Sequence, residues 1–267
     1  MDLEELRDLA LLAAEAGAEV IRAAAGSVAA TVDAEIKGHG DYVTEVDRAA
    51  EAAVVAVLRT GPSDIGILAE ESAVLGGPPP AGRNWAVDPL DGTTNFIRRF
   101  PVVGVAVGLI EDGEPVAACV LAPLIGGGWI GARGRGAHTL DGAPLQVRPL
   151  QGGGVAATGF PFRRPENLPS YLAAFEKLLA HSEDLRRPGA ATLDLAYTAQ
   201  GSFDGFFELG LSLWDMAAGA LLVREAGGAV TDWRGDRDDW MRSGDILAGS
   251  PAWHERALQL TREAMAV

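Results

Sequence analysis

An apolar segment interrupted once by Asp-Gly does most to limit how this chain can fold. Residues 102–123 read VVGVAVGLIEDGEPVAACVLAP, two apolar runs with Asp112 and Gly113 between them. Asp-Gly between such runs is typical of a β-hairpin, because both residues tolerate the backbone of a tight turn. Further short strands with Gly-rich turns are expected up to residue 146. The pattern predicts an antiparallel sheet in the first half of the chain.

The residues before this sheet show helical periodicity. Apolar residues recur at helical spacing over residues 3–25, so we predict one long helix that ends at Gly26. A second helix is predicted from Thr44, with Asp47 three positions later as in a capping box. It would end at residue 61, followed by a short strand at 65–68 and a Gly- and Pro-rich loop at 76–82.

From about residue 152 the predicted elements alternate between strand and helix. Strands are predicted at 155–158, 203–209, 229–231 and 246–249, and helices at 170–180, 190–199, 214–226 and 253–264. Such alternation is typical of an α/β arrangement. A chain of 267 residues can form two cores. We therefore expect an α+β domain at residues 1–150 and an α/β domain at residues 151–267.

The charge of the chain restricts its partners. The formal net charge is −15, which disfavours direct binding to nucleic acid. A small phosphorylated molecule remains possible, because a bound cation inverts the local charge. The one cysteine, Cys119, can form no intramolecular disulfide, so we expect a small core residue and a reducing compartment. No signal peptide and no apolar run of membrane-spanning length is recognised, so a cytoplasmic protein without membrane contact is expected.

Acidic residues stand at the predicted ends of helices and strands. Four groups are found: Asp47, Glu70 with Glu71, Asp88 with Asp91, and Asp215. Each group alone has a structural explanation: a solvated helix residue, a turn cap, an Asx-turn before proline, or an acid that complements a helix dipole. Because all four occur in one chain, a shared metal site is the competing explanation.

The stretch WAVDPLDGTTNF, residues 85–96, gives the metal hypothesis its chemical basis. A predicted apolar strand ends in Asp88 and Asp91, and the proline between them holds the two carboxylates close together. Close carboxylates repel each other, and Mg²⁺ relieves the repulsion because it takes oxygen ligands. Gly92 allows the backbone to approach a ligand, and a helix that starts at Thr93 would direct N–H groups at a phosphate.

This stretch and three others resemble the inositol monophosphatase family. DPLDGTTNF (88–96) is similar to the first signature of that family, and WDMAAGALLVREAGG (214–228) is similar to the second. GDYVTEVDRAAE (40–51) resembles the family's helix with a buried Asp, and ILAEES (67–72) resembles its metal-binding Glu segment. The matches occur in the expected order. They imply a layered α/β/α/β/α sandwich of the sugar-phosphatase type, which is an α+β or α/β fold.

The resemblance implies a metal site at matching positions. A first Mg²⁺ would be held by Glu70, Asp88 and the carbonyl of Leu90. A second would be held by Asp88, Asp91 and Asp215. Through water, Glu70 would also contribute to a third ion. Phosphate ester hydrolysis requires such neutralisation of charge on the phosphoryl oxygens.

The resemblance also implies residues for catalysis and substrate binding. Thr93 and Asp47 would form a hydrogen-bonded pair that orients the attacking water, so the expected catalytic residues are these two and Glu70. Gly92 and Thr93 would contact the phosphate. Glu208 stands where the family binds inositol hydroxyls, and a carboxylate can accept hydrogen bonds from two neighbouring hydroxyls. An acid on the surface at a strand end is the alternative explanation for Glu208. Two further positions match residues near the substrate, Ala191 and Asp204.

The predicted activity is that of a Mg²⁺-dependent phosphomonoester hydrolase acting on inositol-1-phosphate or a similar small polyol phosphate. Fructose-1,6-bisphosphatase, histidinol-phosphatase and a phosphatase of NADP or 3′-phosphoadenosine phosphates are alternatives with the same chemistry. Arg98 and Arg99 keep a bisphosphate substrate open, while Arg163 and Arg164 are expected to be surface charges or a pocket rim. A regulatory partner of the transcription or ribosome machinery is the non-enzymatic alternative. The resemblance further implies a homodimer and inhibition by lithium.

Overall fold

The computed structural model describes residues 1–26, 35–38, 41–72 and 81–265. The helices are α1 (Leu3–Ala24), α2 (Glu45–Leu58), α3 (Thr93–Ile97), α4 (Leu168–His181), α5 (Ala191–Ala199), α6 (Leu213–Glu225), α7 (Trp240–Ser243) and α8 (Pro251–Met265), with a 3₁₀ turn at Pro165–Asn167. The first strands are β1 (Glu35–Gly38), β2 (Asp41–Val43), β3 (Gly66–Ala69), β4 (Arg83–Asp91), β5 (Gly104–Glu111), β6 (Glu114–Leu121), β7 (Gly128–Ala132) and β8 (Gly136–Thr139). The later strands are β9 (Val155–Thr158), β10 (Asp184–Arg186), β11 (Gly205–Glu208), β12 (Ala229–Thr231) and β13 (Ile246–Gly249).

Two larger sheets organise the described residues. The first has the strand order β3-β4-β5-β6-β7-β8 and is antiparallel except for the parallel pair β3–β4. The second has the order β10-β9-β11-β13-β12, with β9 parallel to both its neighbours and β13 antiparallel to both of its own. The hairpin predicted at Asp112 and Gly113 is present between β5 and β6.

Helices and sheets alternate in five layers. Helices α1 and α2 pack on one face of the first sheet, and α5 and α6 lie between the two sheets. Helices α4 and α8 cover the outer face of the second sheet. Helix α6 is buried on nearly every side, which explains why it carries apolar residues all round rather than along one stripe. The predicted layered α/β/α/β/α sandwich is confirmed.

The alternation of side chains along β5 shows how one strand serves two layers. Val105, Val107 and Leu109 face α1 and α2, whereas Ala106 packs against the middle helices. Ala106 and Gly108 on this inner face are small, and at Gly108 a Cβ atom would lie 3.0 Å from the backbone nitrogen of a residue in α6. Helix α6 can therefore lie close to the first sheet, which brings its N-terminal turn near the end of β4.

Several elements differ from the sequence-based prediction. The strand expected to end at Val87 continues as β4 to Asp91, with a register shift against β5 after Asp88. Three strands (β1, β2, β10) and the short helix α7 were not predicted, because they contain four residues or fewer and carry no clear periodicity. Most of the loop predicted at residues 76–82 lies outside the described residues, which begin again at residue 81.

The boundary proposed at residue 150 stays a prediction. Helices α5 and α6 come from the second half of the chain, yet they share one apolar core with strands from both halves. Within the described residues, no helix combines the length and apolar character needed to cross a membrane.

Candidate active site

A cavity of about 390 Å³ opens where both sheets and the middle helices meet. Its walls come from the ends of β3, β4, β9 and β11 and from the N-terminal turns of α3, α5 and α6. Nine of the residues predicted for the site line it: Glu70, Asp88, Leu90, Asp91, Gly92, Thr93, Ala191, Glu208 and Asp215.

Three carboxyl groups form an acidic cluster, consisting of Glu70, Asp88 and Asp215. One oxygen from each lies within 4.8 Å of the other two. Strands β3 and β4 are parallel, so their ends meet at one edge of the sheet, and the backbone N–H of Glu70 continues the pairing by donating to Val87 O at 3.1 Å. This register places Glu70 beside Asp88. Asp215 lies in the first turn of α6 and completes the cluster.

Backbone groups orient two members of the acidic cluster. Asp88 Oδ1 accepts a hydrogen bond from Leu90 N at 3.1 Å, as in an Asx-turn. Asp215 Oδ2 accepts one from Ser212 N at 2.7 Å, at the N-terminus of α6. The structural explanations for these acids are thus compatible with a metal site, because each of these backbone hydrogen bonds engages a single carboxylate oxygen.

Asp91 lines the cavity next to the acidic cluster but is held differently. Its Oδ2 accepts hydrogen bonds from the Thr192 backbone N–H at 2.7 Å and the Thr192 hydroxyl at 2.6 Å. The Leu90 carbonyl, also predicted as a ligand, accepts a hydrogen bond from Thr93 Oγ1 at 3.2 Å. Both ligand assignments therefore stay predictions.

Crowding of acids changes their protonation. Burial, followed by the charge of Glu70, raises the pKa of Asp88 well above its ordinary value. Burial and then Asp215 raise the pKa of Asp91 to about 7, although the hydrogen bonds from Thr192 oppose the shift. A cation would relieve this repulsion. The clustered donors are all carboxylate oxygens, and such a donor set suits a hard divalent cation such as Mg²⁺.

Arg163 reaches the acidic cluster, which corrects the prediction of a surface charge. Its guanidinium lies 3.3 Å from Asp215 Oδ2 and 3.4 Å from Glu70 Oε1. Its neighbour Arg164 is exposed and donates instead to the carbonyl of Ser243 at 3.1 Å. The sequence could not separate these two arginines, because both stand in a loop without periodicity.

Thr93 and Asp47 form the hydrogen bond that the resemblance implied. Thr93 Oγ1 lies 2.8 Å from Asp47 Oδ1. The other carboxylate oxygen of Asp47 accepts the backbone N–H of Thr44 at 2.9 Å, within the predicted capping box of α2. Burial is the largest influence on Asp47 and raises its pKa, against the hydrogen bonds from Thr44 and Thr93.

Gly92 has a backbone that other residues rarely adopt. Its φ is +90°, and a Cβ atom there would lie 3.0 Å from the carbonyl oxygen of Val102. The glycine therefore allows the chain to turn sharply from β4 into α3. Asn95, which the sequence analysis did not single out, ties this turn to the second half of the chain. Its Nδ2 donates to Val102 O at 2.8 Å and to Pro188 O at 3.0 Å.

A second group of acids, the carboxyl pair Asp194 and Glu208, also lines the cavity. Both side chains are buried. Burial and then Asp215 raise the pKa of Glu208 to about 8, and burial and then Glu208 raise the pKa of Asp194 well above its ordinary value. The alternative that Glu208 is a surface acid is therefore wrong.

Two residues of the cavity lining, Asp194 and Arg187, were not predicted from the sequence. Asp194 stands between two leucines in α5, all three of them buried, and a single acid in an apolar helix segment is the signal that could have found it. The Arg187 guanidinium lies over the rings of Phe160 and Phe162, 5.3 and 5.6 Å from their centroids, on the cavity wall.

Several predicted residues lie outside the described lining of the cavity: Asp47, Arg98, Arg99, Arg164 and Asp204. The Asp204 carboxylate accepts the backbone N–H of Val155 at 2.8 Å, so it joins the first residue of β9 to the residue before β11. This position does not support a substrate contact. Arg98 and Arg99 are exposed and also lie outside that lining, so they give no support to a second phosphate in the cavity.

Comparison with known proteins gives consistent results. The chain matches the model of the inositol monophosphatase family over residues 2–266. The Nus factor SuhB of Escherichia coli (strain K12) is 44% identical over 223 residues, which cover 82% of each chain. The crystal structure of the extragenic suppressor protein suhB from Bartonella henselae has a TM-score of 0.88 at 34% identity and covers 97% of this chain and 98% of that one. The structure of the inositol monophosphatase from Anabaena has a TM-score of 0.84 at 32% identity and covers 98% of this chain and 97% of that one.

Proposed function

Because the chain belongs to the inositol monophosphatase family, we propose that it is a metal-dependent phosphomonoester hydrolase. The observation that carries the proposal is the acidic cluster, with carboxylate oxygens within 4.8 Å of one another in a cavity large enough for a small phosphorylated molecule. Such a cluster is costly in a folded chain without a cation, since desolvation and mutual repulsion both disfavour the charged forms.

The acidic cluster would hold Mg²⁺, with Asp91 and the Leu90 carbonyl as further ligands. When bound, the cation neutralises charge on the phosphoryl oxygens. Gly92 and Thr93 line the cavity beside the cluster and would contact the phosphate. Asp47 accepts the hydrogen bond of Thr93, whose hydroxyl would then orient the attacking water. The oxygen of that water bonds to phosphorus, the ester bond breaks, and the departing alcohol oxygen takes up the proton that the water loses.

The substrate we propose is inositol-1-phosphate or a similar small polyol phosphate. Glu208 supports this choice, because it is a buried acid on the cavity wall that can accept hydrogen bonds from neighbouring hydroxyls. Ala191 lies on the same wall. Fructose-1,6-bisphosphate, histidinol phosphate, NADP and 3′-phosphoadenosine-5′-phosphate are the competing substrates.

The test is phosphate release from these five compounds with Mg²⁺ and with EDTA. We expect release that requires Mg²⁺ and is fastest with inositol-1-phosphate. Glu208→Leu should lower kcat/KM for inositol-1-phosphate about tenfold. Release that persists in EDTA would contradict the metal-dependent reaction. A clear preference for another compound would contradict the polyol assignment and leave the reaction class intact.

A second candidate function rests on the name of the relatives. A protein that is 44% identical to this chain is called a Nus factor, so a regulatory partner of the transcription machinery is a specific alternative. The net charge of −15 favours a basic protein over nucleic acid as the direct contact. The test is capture of purified RNA polymerase by the tagged chain. Capture that Asp91→Asn leaves unchanged would support a role independent of catalysis.

Three further properties are proposed from family membership. They are a homodimer, inhibition by lithium and a cytoplasmic location. Light scattering of the purified chain and phosphate release in increasing LiCl test the first two directly.

A further inference from the structure

Asp194 lines the cavity and has a buried oxygen without a hydrogen-bond partner. The side chain is 1% exposed, and its Oδ1 is buried with no hydrogen-bond partner among the described residues. A buried acceptor without a partner destabilises a protein, and native structures contain few of them. Folding alone therefore gives no reason for an acid at this position, and apolar residues on either side of it fill the core of α5 without such a penalty.

Two other buried polar atoms in the described part of the chain also have no hydrogen-bond partner, and they serve as a comparison for Asp194. They are Trp214 Nε1 and Ser250 Oγ. Ser250 lies outside the described lining of the cavity, whereas Asp194 is part of that lining and interacts electrostatically with Glu208. An unpaired acceptor in a cavity wall is one that a ligand can reach, because the terminal torsion of a carboxylate is broad and either oxygen can turn outward.

We propose that Asp194 determines specificity for the alcohol part of the substrate, by accepting a hydrogen bond from a hydroxyl beside the one that Glu208 binds. The inference rests on the proposed phosphatase function. The ligand class is an uncharged alcohol with several hydroxyl groups, since a hydroxyl can donate to a carboxyl oxygen and can accept from a carboxyl that carries its proton. A second phosphate at this wall would face two acids, with Arg187 as the cation that interacts with both.

If Asp194 binds a substrate hydroxyl, replacing it should raise the stability of the protein and lower its specificity. A purely structural role would not produce both effects. Asp194→Leu keeps the shape of the side chain and removes the unpaired oxygen. The variant is therefore expected to melt higher than the wild type, by about 2 °C or more. It is also expected to lose about tenfold in kcat/KM for inositol-1-phosphate, while hydrolysis of p-nitrophenyl phosphate changes less than twofold, because that alcohol carries no additional hydroxyl.

Further variants complete the experiment. Asp194→Asn retains one acceptor oxygen and should recover most of the lost selectivity, whereas Asp194→Ala removes both oxygens and replaces Asp194→Leu should the latter fail to fold. Ser250→Ala removes another unpaired buried oxygen away from the cavity, so it should raise the melting temperature without changing the ratio of the two substrates.

The outcomes are distinct. An unchanged substrate ratio in Asp194→Leu, or an equal loss on both substrates, overturns the role of Asp194. A wild-type protein that hydrolyses neither compound overturns the proposed function instead. In that case, the rise in melting temperature caused by inositol-1-phosphate with Mg²⁺ decides the role of Asp194. Loss of that rise in Asp194→Leu supports the role, and its retention or its absence from the wild type overturns it.

Discussion

Two groups of carboxyls line one cavity, and the protein holds them in different ways. In the acidic cluster, Asp88 and Asp215 each accept a hydrogen bond from a backbone N–H group. In the carboxyl pair, Asp194 has an oxygen without any partner among the described residues. The difference indicates separate purposes. Backbone donors orient the cluster without a cation, whereas the unpaired oxygen of Asp194 would gain a partner only from a ligand, as we propose.

The largest expected effect comes from the acidic cluster. Asp88→Asn removes one of three clustered carboxylates, so we expect phosphate release to fall about a thousandfold or more, and Mg²⁺ to lose most of its stabilising effect. The metal-free variant should melt no lower than the metal-free wild type, because repulsion with Glu70 is relieved. Asp64→Asn makes the same change in charge at an exposed position and is the matched control. Activity within tenfold of the wild type would contradict the assigned metal site.

Thr93 should produce the next largest effect. Its hydroxyl bonds to Asp47, so Thr93→Ala is expected to lower kcat about a hundredfold with a small change in KM, as for loss of a group that positions water. Thr94→Ala removes the hydroxyl of the next residue, which also lines the cavity, and should cost less than threefold. Thr93→Ser should restore most of the activity. Equal losses in the two alanine variants would contradict a special role for Thr93.

Whether the sequence could predict an acid of the cavity depends on the position of that acid in the chain. The acidic cluster was predictable, because Asp88 and Asp215 lie in long motifs at the ends of elements. The carboxyl pair was half predicted: Glu208 was identified from the resemblance and Asp194 was not, since it occurs inside an apolar helix segment. The predicted position of Asp204 near the substrate has no support in the structure, for a related reason. A position near the site in the chain does not reveal that its carboxylate accepts a backbone N–H.

The fold was more predictable than the contacts. Long periodic segments gave α1, α2, β5 and β6 within a few residues, because burial of an apolar face dominates their stability. Contacts such as Arg163 with Glu70 join residues 93 positions apart through a loop, and no local pattern encodes them. Short strands such as β10 depend on their neighbours in the sheet for most of their stability.

The raised pKa of a cavity acid should make the stability of the metal-free protein depend on pH. Burial and then Asp215 raise the pKa of Asp91 from 3.8 to about 7. The folded chain then binds more protons than the unfolded chain between these values, so the stability of the metal-free protein falls as the pH rises through this range. We expect its melting temperature to fall by about 5 °C between pH 5 and pH 7.5.

Saturating Mg²⁺ and the variant Asp91→Asn should each reduce the fall of the melting temperature with pH, whereas Asp64→Asn should leave it unchanged. Thermal unfolding followed by circular dichroism in EDTA and in Mg²⁺ measures both effects. If the melting temperature of the metal-free protein instead rises between pH 5 and pH 7.5, repulsion among the cavity acids does not dominate the pH dependence of its stability.

The smallest expected effect concerns Arg163, the cation that the chain itself brings to the acidic cluster. Its guanidinium lies 3.3 Å from Asp215 and 3.4 Å from Glu70, so it competes with a divalent cation for two of the three clustered acids. Arg163→Met should therefore bind Mg²⁺ about two- to fivefold more tightly, as titration calorimetry would measure, because the competing charge is absent. The Arg163 side chain is 38% exposed, and this partial solvation keeps the effect modest.

Arg164→Met is the matched control, since Arg164 donates to the Ser243 carbonyl rather than to an acid. It removes the same charge one residue away, so a general electrostatic effect would appear in both variants, whereas direct competition appears in Arg163→Met alone. Weaker Mg²⁺ binding in Arg163→Met would mean that Arg163 orients the carboxylates for the cation rather than opposing it. The acidic cluster would then depend on a side chain for its geometry as well as on backbone N–H groups, and its contrast with the carboxyl pair would be smaller than the hydrogen bonds suggest.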